Sequence, residues 1–334
     1  MKIVVDVYGG DYSPKETVLG AIGALSEVGF DLVLFGKKEE IDGILTECTY
    51  DTDRVTVIDA PEVITNDDVP TEAVRKKQNS SLIAALRYLN ENADAVGFVS
   101  SGSTGAVLTG AVLLLKRIRG INRPALCPVL PTVTEKNVLL MDCGANPEPK
   151  AINLEQYAIM ASAYSKCIFG VNEPKVGLLS NGTEDKKGSP LTKEVFPILK
   201  ENAAINFVGN IEGRDILSGN VDVVVCDGFS GNVALKSCEG TALAMFDMIK
   251  SGIMAGGLRA KLGYLLLKPV FKNIKKRMDY NDNGGAVLLG LEKIVVKAHG
   301  SSKAKAIKNS VLQVKSLYEG KVIENISNVL HVYF

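Results

Sequence analysis

The sequence has few of the residues from which metal centres and nucleophilic catalysts are built. It contains only two histidines, His299 and His331, and its six cysteines form neither a C-x-x-C pair nor a zinc spacing. No G-x-S-x-G elbow is present, and nothing pairs His299 with a serine. His331 lies near the end of the chain, where we expect it to be inert. We therefore predict a protein without metal or cofactor, and a Ser-His-Asp hydrolase is disfavoured.

The chain also lacks net charge and long apolar runs. Its 38 Lys and Arg residues equal its 38 Asp and Glu residues, so no overall field predicts nucleic-acid binding, and a charged partner must meet a local patch. The longest apolar run, at about 111–115, is much shorter than the ~20 residues of a membrane-spanning helix. The first residues lack the apolar stretch of a signal peptide, and the cysteines fit buried free thiols. We expect a soluble, cytoplasmic protein.

What the chain does contain is one repeated pattern: a short β-branched run, a Gly-rich or polar turn, and a segment of helical period. The runs lie at 3–7, 32–35, 55–58, 96–99, 138–141, 176–179, 205–208, 221–225 and 294–296. This alternation predicts an α/β fold, with a mostly parallel sheet covered by helices on both faces. We treat residues 1–334 as a single domain. Ligands bind such sheets beyond the carboxyl ends of the strands, where this chain carries its Gly, Ser, Asn and Asp clusters.

Two of these strand-to-helix turns leave the backbone unusually bare. They are S-S-G-S-T-G at 100–105 and D-G-F-S-G-N at 227–232. A glycine-rich turn exposes N–H groups to an anion, and the helix dipole adds partial positive charge. An ordinary capped helix would explain either turn alone, but two such turns at one sheet edge favour an anion site.

Neither turn has the spacing of a common nucleotide-binding loop. The chain has no G-x-x-x-x-G-K-[ST] motif and no G-x-G-x-x-G after a strand. Turns that bind an anion, in a chain with few candidate nucleophilic side chains, suit a reaction in which the bound anion is itself the nucleophile. Inorganic phosphate attacking a thioester must be held and aimed, and the developing oxyanion needs a donor.

The alternation of strand and helix patterns stops between Glu239 and Tyr280, where we predict a protruding basic helical segment at about 240–280. No acid lies between Lys250 and Arg277, and we expect Pro269 to kink or break the helix. The eight bases are Lys250, Arg259, Lys261, Lys268, Lys272, Lys275, Lys276 and Arg277. Leucines recur among them at roughly helical spacing. A further amphipathic helix is predicted at 302–319.

Six blocks along the chain occur in the order of one known family. They are D-V-Y-G-G-D-Y-S-P, S-S-G-S-T-G-A, L-L-M-D-C-G-A-N, G-N-I-E-G-R-D-I, V-V-C-D-G-F-S-G-N-V-A-L-K-S-C-E-G and G-G-A-V-L-L-G…K-A-H-G-S-S. With these blocks the chain resembles the PlsX family, the phosphate acyltransferases of bacterial phospholipid synthesis. The resemblance implies reversible transfer of a long-chain acyl group from acyl carrier protein to inorganic phosphate. It also implies a homodimer with a three-layer α/β/α fold like isocitrate and isopropylmalate dehydrogenases, and a membrane enzyme that passes the acyl group to glycerol 3-phosphate.

The resemblance implies three catalytic residues. Asn232 would orient phosphate or the thioester carbonyl, Lys187 would bear phosphate or oxyanion charge with Lys186 as its rival, and His299 would handle a proton or donate to phosphate. A solvated turn or a strand-end turn would also explain Lys187 and His299. Phosphate or substrate contacts are implied for Asp6, Gly9, Gly10, Asp11, Ser101, Gly102, Ser103, Thr104, Gly105, Asn146, Asp227, Gly228 and Gly231.

The chain departs from the family pattern in its first two loops. Val7 and Tyr8 replace Ala-Met, while Ser101 and Ser103 replace Ala and Asn, so Ser103 lacks the amide of the family residue. Gly102 and Gly105 preserve the glycines that set the turn.

Several interpretations remain open for the basic helical segment. Apolar anchors beside a basic face are typical of a helix lying on anionic lipid, which would place the protein at the inner face of the cell membrane. The same face suits acidic acyl carrier protein, a dimer contact or plain solvation. The residues expected at a membrane or carrier contact are Leu258, Arg259, Lys261, Leu262, Leu265 and Lys268. Alternative functions are a small-acyl phosphotransacetylase and a non-catalytic lipid- or carrier-binding scaffold.

Overall fold

The computed structural model describes residues 1–277 and 284–333, in which strands alternate with helices. The strands are β1 Lys2–Asp6, β2 Asp31–Gly36, β3 Val55–Asp59, β4 Ala95–Ser100, β5 Ala125–Cys127, β6 Val129–Pro131, β7 Asn137–Met141, β8 Lys175–Ser180, β9 Asn206–Glu212, β10 Val223–Val225, β11 Ala286–Leu289 and β12 Ile294–Lys297. The helices are α1 Lys15–Val28, α2 Lys38–Leu45, α3 Pro70–Lys76, α4 Ser81–Glu91, α5 Thr104–Leu114, α6 Ala151–Phe169, α7 Pro190–Glu201, α8 Gly228–Ala255, α9 Gly257–Arg277, α10 Ala304–Glu319 and α11 Val322–Tyr333.

Within the described residues the strands form two sheets. One has the order β3-β2-β1-β4-β12-β11-β5 and the other β6-β7-β10-β8-β9. Most pairs are parallel, and the antiparallel pairs involve β11 and β6. The predicted three-layer α/β/α class with mostly parallel strands is confirmed. The division into two sheets was not predicted, because the strands β5, β6 and β11 have only three or four residues and are too short to show a period.

The layers follow from the side-chain alternation of the buried strands. In β1, Ile3 and Val5 pack in one hydrophobic cluster with residues of α1, α6 and α10, whereas Val4 packs in another with residues of α4 and α5. All three side chains are fully buried. Because helices cover both faces, both sets of alternating positions must be apolar, which gives the unbroken apolar runs of the sequence.

Helices α8 and α9 leave this packed body. Of the 28 residues of α8, only Gly228 and Gly231 are buried. Helix α8 ends at Gly256, and the next residue, Gly257, has a φ of 70°. Glycine adopts this left-handed conformation without strain, so the chain can change direction between the two helices. Of the kink or break expected at Pro269, the break does not occur, since Pro269 lies inside α9. The helical prediction is confirmed as far as Arg277, and its last positions, 278–280, lie outside the described residues.

The exposed side chains of α8 and α9 are unusually apolar. Leu258 is 81% exposed and Leu266 is 79% exposed, although leucine is normally buried. In the part of the chain that the structure describes, no helix combines the length and apolarity needed to span a bilayer. The predicted basic segment therefore carries an exposed apolar strip as well.

The base of α8 provides a test of the fold. We predict that Gly231→Ala lowers the free energy of unfolding by about 1–3 kcal/mol, because its Cβ would overlap the Asp142 carbonyl oxygen and the backbone would have to move. Gly240→Ala, in the same helix, is the matched control, because its Cβ meets nothing within 4 Å. We expect the control to be neutral or up to about 1 kcal/mol more stable. Chemical denaturation measures both, and equal stabilities of the two variants would contradict the packing described here.

Candidate active site

A cavity of about 370 Å³ lies where the carboxyl ends of strands from both sheets meet. The polar lining residues are Thr104, Gly105, Asn232, Lys236, Glu239, Lys297 and His299. The apolar lining residues, called the apolar wall below, are Leu108, Leu126, Pro128, Val129, Leu130 and Leu235. The cavity therefore offers both polar and apolar groups to the same ligand, as small-molecule sites generally do.

The turn at the start of α8 is closed by contacts within the protein. Asp227 caps the helix, accepting a hydrogen bond from the Ser230 amide at 2.8 Å, and the Gly228 amide donates to the Asn146 carbonyl at 2.9 Å. A Cβ at Gly228 would come within 2.7 Å of that carbonyl oxygen. The glycines of this turn thus allow close packing with the loop after β7. Of the four site residues predicted in the turn, the structure brings Asn232 to the cavity.

The start of α5 is more open. Thr104 and Gly105 line the cavity, and among the described residues no side chain caps this helix. First-turn amides of a helix have no intrahelical acceptor, so an uncapped N-terminus facing a cavity suits an anion. Ser101 Oγ is buried close to this turn and has no hydrogen-bond partner within the described part of the chain. Gly102 instead donates its amide to Ser100 Oγ at 3.0 Å.

The loop after β1 supports the α5 turn from behind. A Cβ at Gly9 would lie 2.6 Å from the Gly102 Cα, and the Asp11 amide donates to the Gly300 carbonyl at 2.9 Å. Asp6 is buried and accepts a hydrogen bond from Ser100 Oγ at 2.7 Å. Burial raises the pKa of Asp6 to about 6, opposed by its hydrogen bonds. Asp6, Gly9, Gly10 and Asp11 are thus placed beside the cavity lining rather than in it.

His299 stands at the end of β12 beside a cation that the sequence did not point to. Its Nε2 lies 3.2 Å from Lys236 Nζ, and Lys236 also pairs with Glu239 at 2.8 Å. Burial and the charge of Lys236 lower the pKa of His299, so the neutral imidazole is favoured near neutral pH. The ammonium can only donate, which makes Nε2 the acceptor in this contact. The neutral ring can therefore take up a proton at Nε2 only when the contact with Lys236 is released.

Lys297 is the main site residue that the sequence interpretation missed. It ends β12, is only 8% exposed and lines the cavity. Burial lowers its pKa to about 8, while the nearby charge of Asp6 opposes that shift. A lysine closing the apolar run I-V-V-K, at the ligand-binding edge of a sheet, was the signal that could have revealed it.

Of the predicted site residues, Thr104, Gly105, Asn232 and His299 line the cavity, whereas Lys187 and Asn146 are among those that do not. Lys187 is exposed in the turn between β8 and α7, so its catalytic role stays a prediction. Asn146 is buried and donates its side-chain amide to the Pro124 carbonyl at 2.8 Å and to Asp142 Oδ2 at 3.1 Å. Its amide therefore braces the loop after β7.

The Asp142 carboxylate holds the loop after β7 through hydrogen bonds. Oδ1 accepts from the amides of Leu126 and Ala145, and Oδ2 accepts from the backbone and side-chain amides of Asn146. Burial raises the pKa of Asp142 although these donors favour its charged form. The carboxylate thereby joins β5 to the loop after β7.

We predict that Asp142→Asn lowers the free energy of unfolding by about 2–4 kcal/mol, because its amide group would face donors where the carboxylate accepts. Asp59→Asn is the matched control, since Asp59 is exposed and accepts one amide, that of Lys38, so we expect a change below about 0.5 kcal/mol. Thermal and urea denaturation at pH ~7.5 measure both variants. Wild-type stability in Asp142→Asn would contradict a central role for this carboxylate.

In the described residues no group of three or more His, Cys, Asp or Glu side chains is arranged to hold a metal ion.

The sequence matches the family described as "Fatty acid synthesis protein" over residues 1–325. Among the solved structures it resembles, a phosphotransacetylase from Streptococcus pyogenes has a TM-score of 0.61 at 21% identity, covering 96% of this chain and 94% of that one. A 4-hydroxythreonine-4-phosphate dehydrogenase from Klebsiella pneumoniae has a TM-score of 0.53 at 12% identity, covering 94% and 98%. At these identities the likeness shows the fold alone.

Curated relatives are much more similar. A protein of Clostridium novyi named "Phosphate acyltransferase" is 47% identical over 332 residues, 98% of each chain. Proteins of the same name from Streptococcus pneumoniae and Dictyoglomus thermophilum are 46% and 44% identical, over 96% and 98% of each chain. The chain therefore belongs to the fatty acid synthesis protein family that includes these phosphate acyltransferases, and it is an acyltransferase of that family.

Proposed function

We propose that this protein reversibly transfers a long-chain acyl group from acyl carrier protein to inorganic phosphate, giving acyl-phosphate for phospholipid synthesis. The names of its curated relatives support acyl transfer to phosphate. The observation that carries the proposal is the cavity itself, in which cationic and amide groups face the same space as an apolar wall. Such a cavity suits a reaction between a small anion and a fatty thioester.

In the proposed reaction a phosphate oxygen attacks the thioester carbonyl carbon, forming a C–O bond, and the C–S bond then breaks. The uncapped first turn of α5, with Thr104 and Gly105 at the cavity, holds the phosphate. Asn232 donates to the carbonyl oxygen as charge develops there. His299 takes the proton that the attacking phosphate loses and returns it to the leaving sulfur. The same groups serve the reverse reaction in the opposite order.

No protein nucleophile is required in this mechanism, since phosphate performs the attack. The cysteines that follow β7 and β10 agree with this: Cys143 and Cys226 are buried, and burial raises the pKa of both thiols, which disfavours the reactive thiolate. Lys187, exposed after β8, is retained as a second candidate cation for the phosphate or the oxyanion. The acyl chain lies along the apolar wall formed by Leu108, Leu126 and Val129.

We further propose that residues 1–334 act as one acyltransferase domain in a homodimer attached to the inner face of the cell membrane. The exposed leucines of α9 lie among basic residues with no acid from Lys250 to Arg277, which supports binding to an anionic lipid surface. Attachment there would bring the acyl-phosphate close to the membrane enzyme that acylates glycerol 3-phosphate.

The catalytic proposal predicts phosphate-dependent formation of acyl-phosphate from palmitoyl acyl carrier protein and labelled phosphate. Asn232→Ala should lower kcat about 100-fold, the usual loss when an oxyanion donor is removed. Asn220→Ala is the control, because Asn220 is exposed in a turn away from the cavity lining, and it should keep wild-type activity. Product chromatography and release of free carrier protein measure the reaction. Absence of product with several chain lengths and folded protein would defeat the proposal, and preference for acetyl-CoA would identify a small-acyl phosphotransacetylase.

The membrane proposal predicts that the protein floats with vesicles containing anionic lipid, and that added salt weakens the binding. Leu258→Glu and Leu265→Glu should each lower the bound fraction several-fold, because an apolar anchor is replaced by a charge that anionic lipid repels. Val133→Glu is the matched control, since Val133 is 75% exposed outside these helices. Unchanged flotation of both α9 variants would refute an apolar anchor there, and their loss of carrier-protein binding would indicate a docking face instead.

A further inference from the structure

Lys297 is a buried cation in the wall of the candidate active site. Its backbone pairs with Ser100 of β4, which places the lysine beside the turn that leads into α5. It shares the cavity lining with Thr104 and His299. The side chain is therefore held by the sheet, close to the groups proposed to hold phosphate.

In the described part of the chain, no carboxylate contacts the ammonium of Lys297. Among the described residues no carboxylate lies within 4 Å of its Nζ. It donates one hydrogen bond, to the Ala298 carbonyl oxygen, whereas an ammonium has three donors. Asp6 attracts it from a greater distance, but the Asp6 carboxylate already accepts from Ser100 Oγ and the Tyr8 amide. Two donors of a buried cation thus remain for a ligand.

A buried charge without a contacting counter-charge is unfavourable in the free protein. The free-energy cost of burying the Lys297 ammonium is reduced when an anion enters the cavity, because the ammonium and the anion then pair as both lose their remaining water. The neighbouring lysines are differently placed, because Lys236 is already paired with Glu239 and Lys187 is exposed outside the cavity lining. Of these three, Lys297 is the one whose burial itself favours an anionic ligand.

We propose that Lys297 binds the inorganic phosphate directly and supplies the principal positive charge for it, the role that the sequence assigned to Lys187. This inference rests on the proposed function and adds a catalytic residue to it. The ammonium contacts one phosphate oxygen, and the α5 amides take others. A lysine fixed by a strand holds the anion more precisely than one on an exposed turn.

The charged groups around Lys297 give the assignment a pH dependence. Asp6 and Asp11 favour its charged form, whereas Lys236 opposes it, and His299 stands two residues further along the chain. With a pKa lowered to about 8 by burial, the side chain is charged below pH 8 and loses its charge as the pH rises above it. Phosphate affinity should therefore fall as the pH rises through about 8.

The test is a comparison of Lys297→Met with Lys293→Met. Methionine keeps much of the side-chain length and removes the charge. We expect the KM for phosphate and the Kd of inorganic phosphate, measured by titration calorimetry, to rise roughly 10- to 100-fold in Lys297→Met. Lys293 lies just before the same strand and donates to the Ala95 carbonyl, so Lys293→Met controls for loss of a partly buried lysine and should leave both constants near wild type.

The outcomes separate this inference from the proposed function. Wild-type protein that forms no acyl-phosphate defeats the proposed function, whatever Lys297 does. Active wild-type protein together with unchanged phosphate constants in folded Lys297→Met overturns the assignment. Should that variant not fold, wild-type protein provides a second measurement: a phosphate Kd that stays constant from pH ~7 to ~9.5, across the titration range of a lysine with a lowered pKa, also overturns it. A large rise of the same constants in Lys187→Ala with none in Lys297→Met would return the role to Lys187.

Discussion

Close approach of backbone to backbone at the carboxyl ends of the strands is the constraint on which the candidate site depends. Gly231 lies against the Asp142 carbonyl, Gly228 against the Asn146 carbonyl and Gly9 against the Gly102 Cα. Any side chain at these positions would push the turns apart. Within each sheet, neighbouring turns instead pack together, and the Asp142 carboxylate holds the turn after β7 by accepting four amide hydrogens. The glycines thus shape the cavity more than they expose amides to a ligand.

This distinction explains how far the sequence could predict the site. The alternation of strands and helices predicted polar turns at the ends of strands, and Thr104, Asn232 and His299 from these turns line the cavity. The expectation of a single sheet edge was wrong, because the turns at 100–105 and 227–232 follow β4 and β10, which belong to different sheets. The sequence pattern could not tell an amide that faces a ligand from one used inside the protein, because that depends on which distant carbonyl lies opposite. The Gly228 amide, for example, is taken by Asn146, 82 positions earlier in the chain. Sheet order could not be predicted for the same reason, since partners remote in sequence determine it, and β5, β6 and β11 were missed because they are too short to show a period.

Charge at the cavity is distributed according to burial. Lys236 lies at the more exposed side and is neutralised by Glu239, whereas Lys297 lies in the wall and keeps its charge at near-neutral pH despite a lowered pKa. Desolvation strengthens electrostatic interactions, so a buried lysine acts on a bound anion with less screening than an exposed one. A sequence pattern treats all lysines alike and carries no information on their burial, and Lys297 was missed because a lysine at a strand end commonly lies in solvent.

Under the proposed function, the protruding helices and the cavity both have to accommodate an amphipathic product. A long-chain acyl-phosphate has an anionic head and an apolar tail, so it leaves the cavity most favourably into a surface that accepts both. Burying one exposed leucine of α9 contributes about 1.5–3 kcal/mol, and each lysine near an anionic surface about 1 kcal/mol. A few such contacts give attachment that is strong enough to hold the protein at a membrane and weak enough to be reversible. The apolar strip of α9, unfavourable in water, then serves the same product that the apolar cavity wall accommodates.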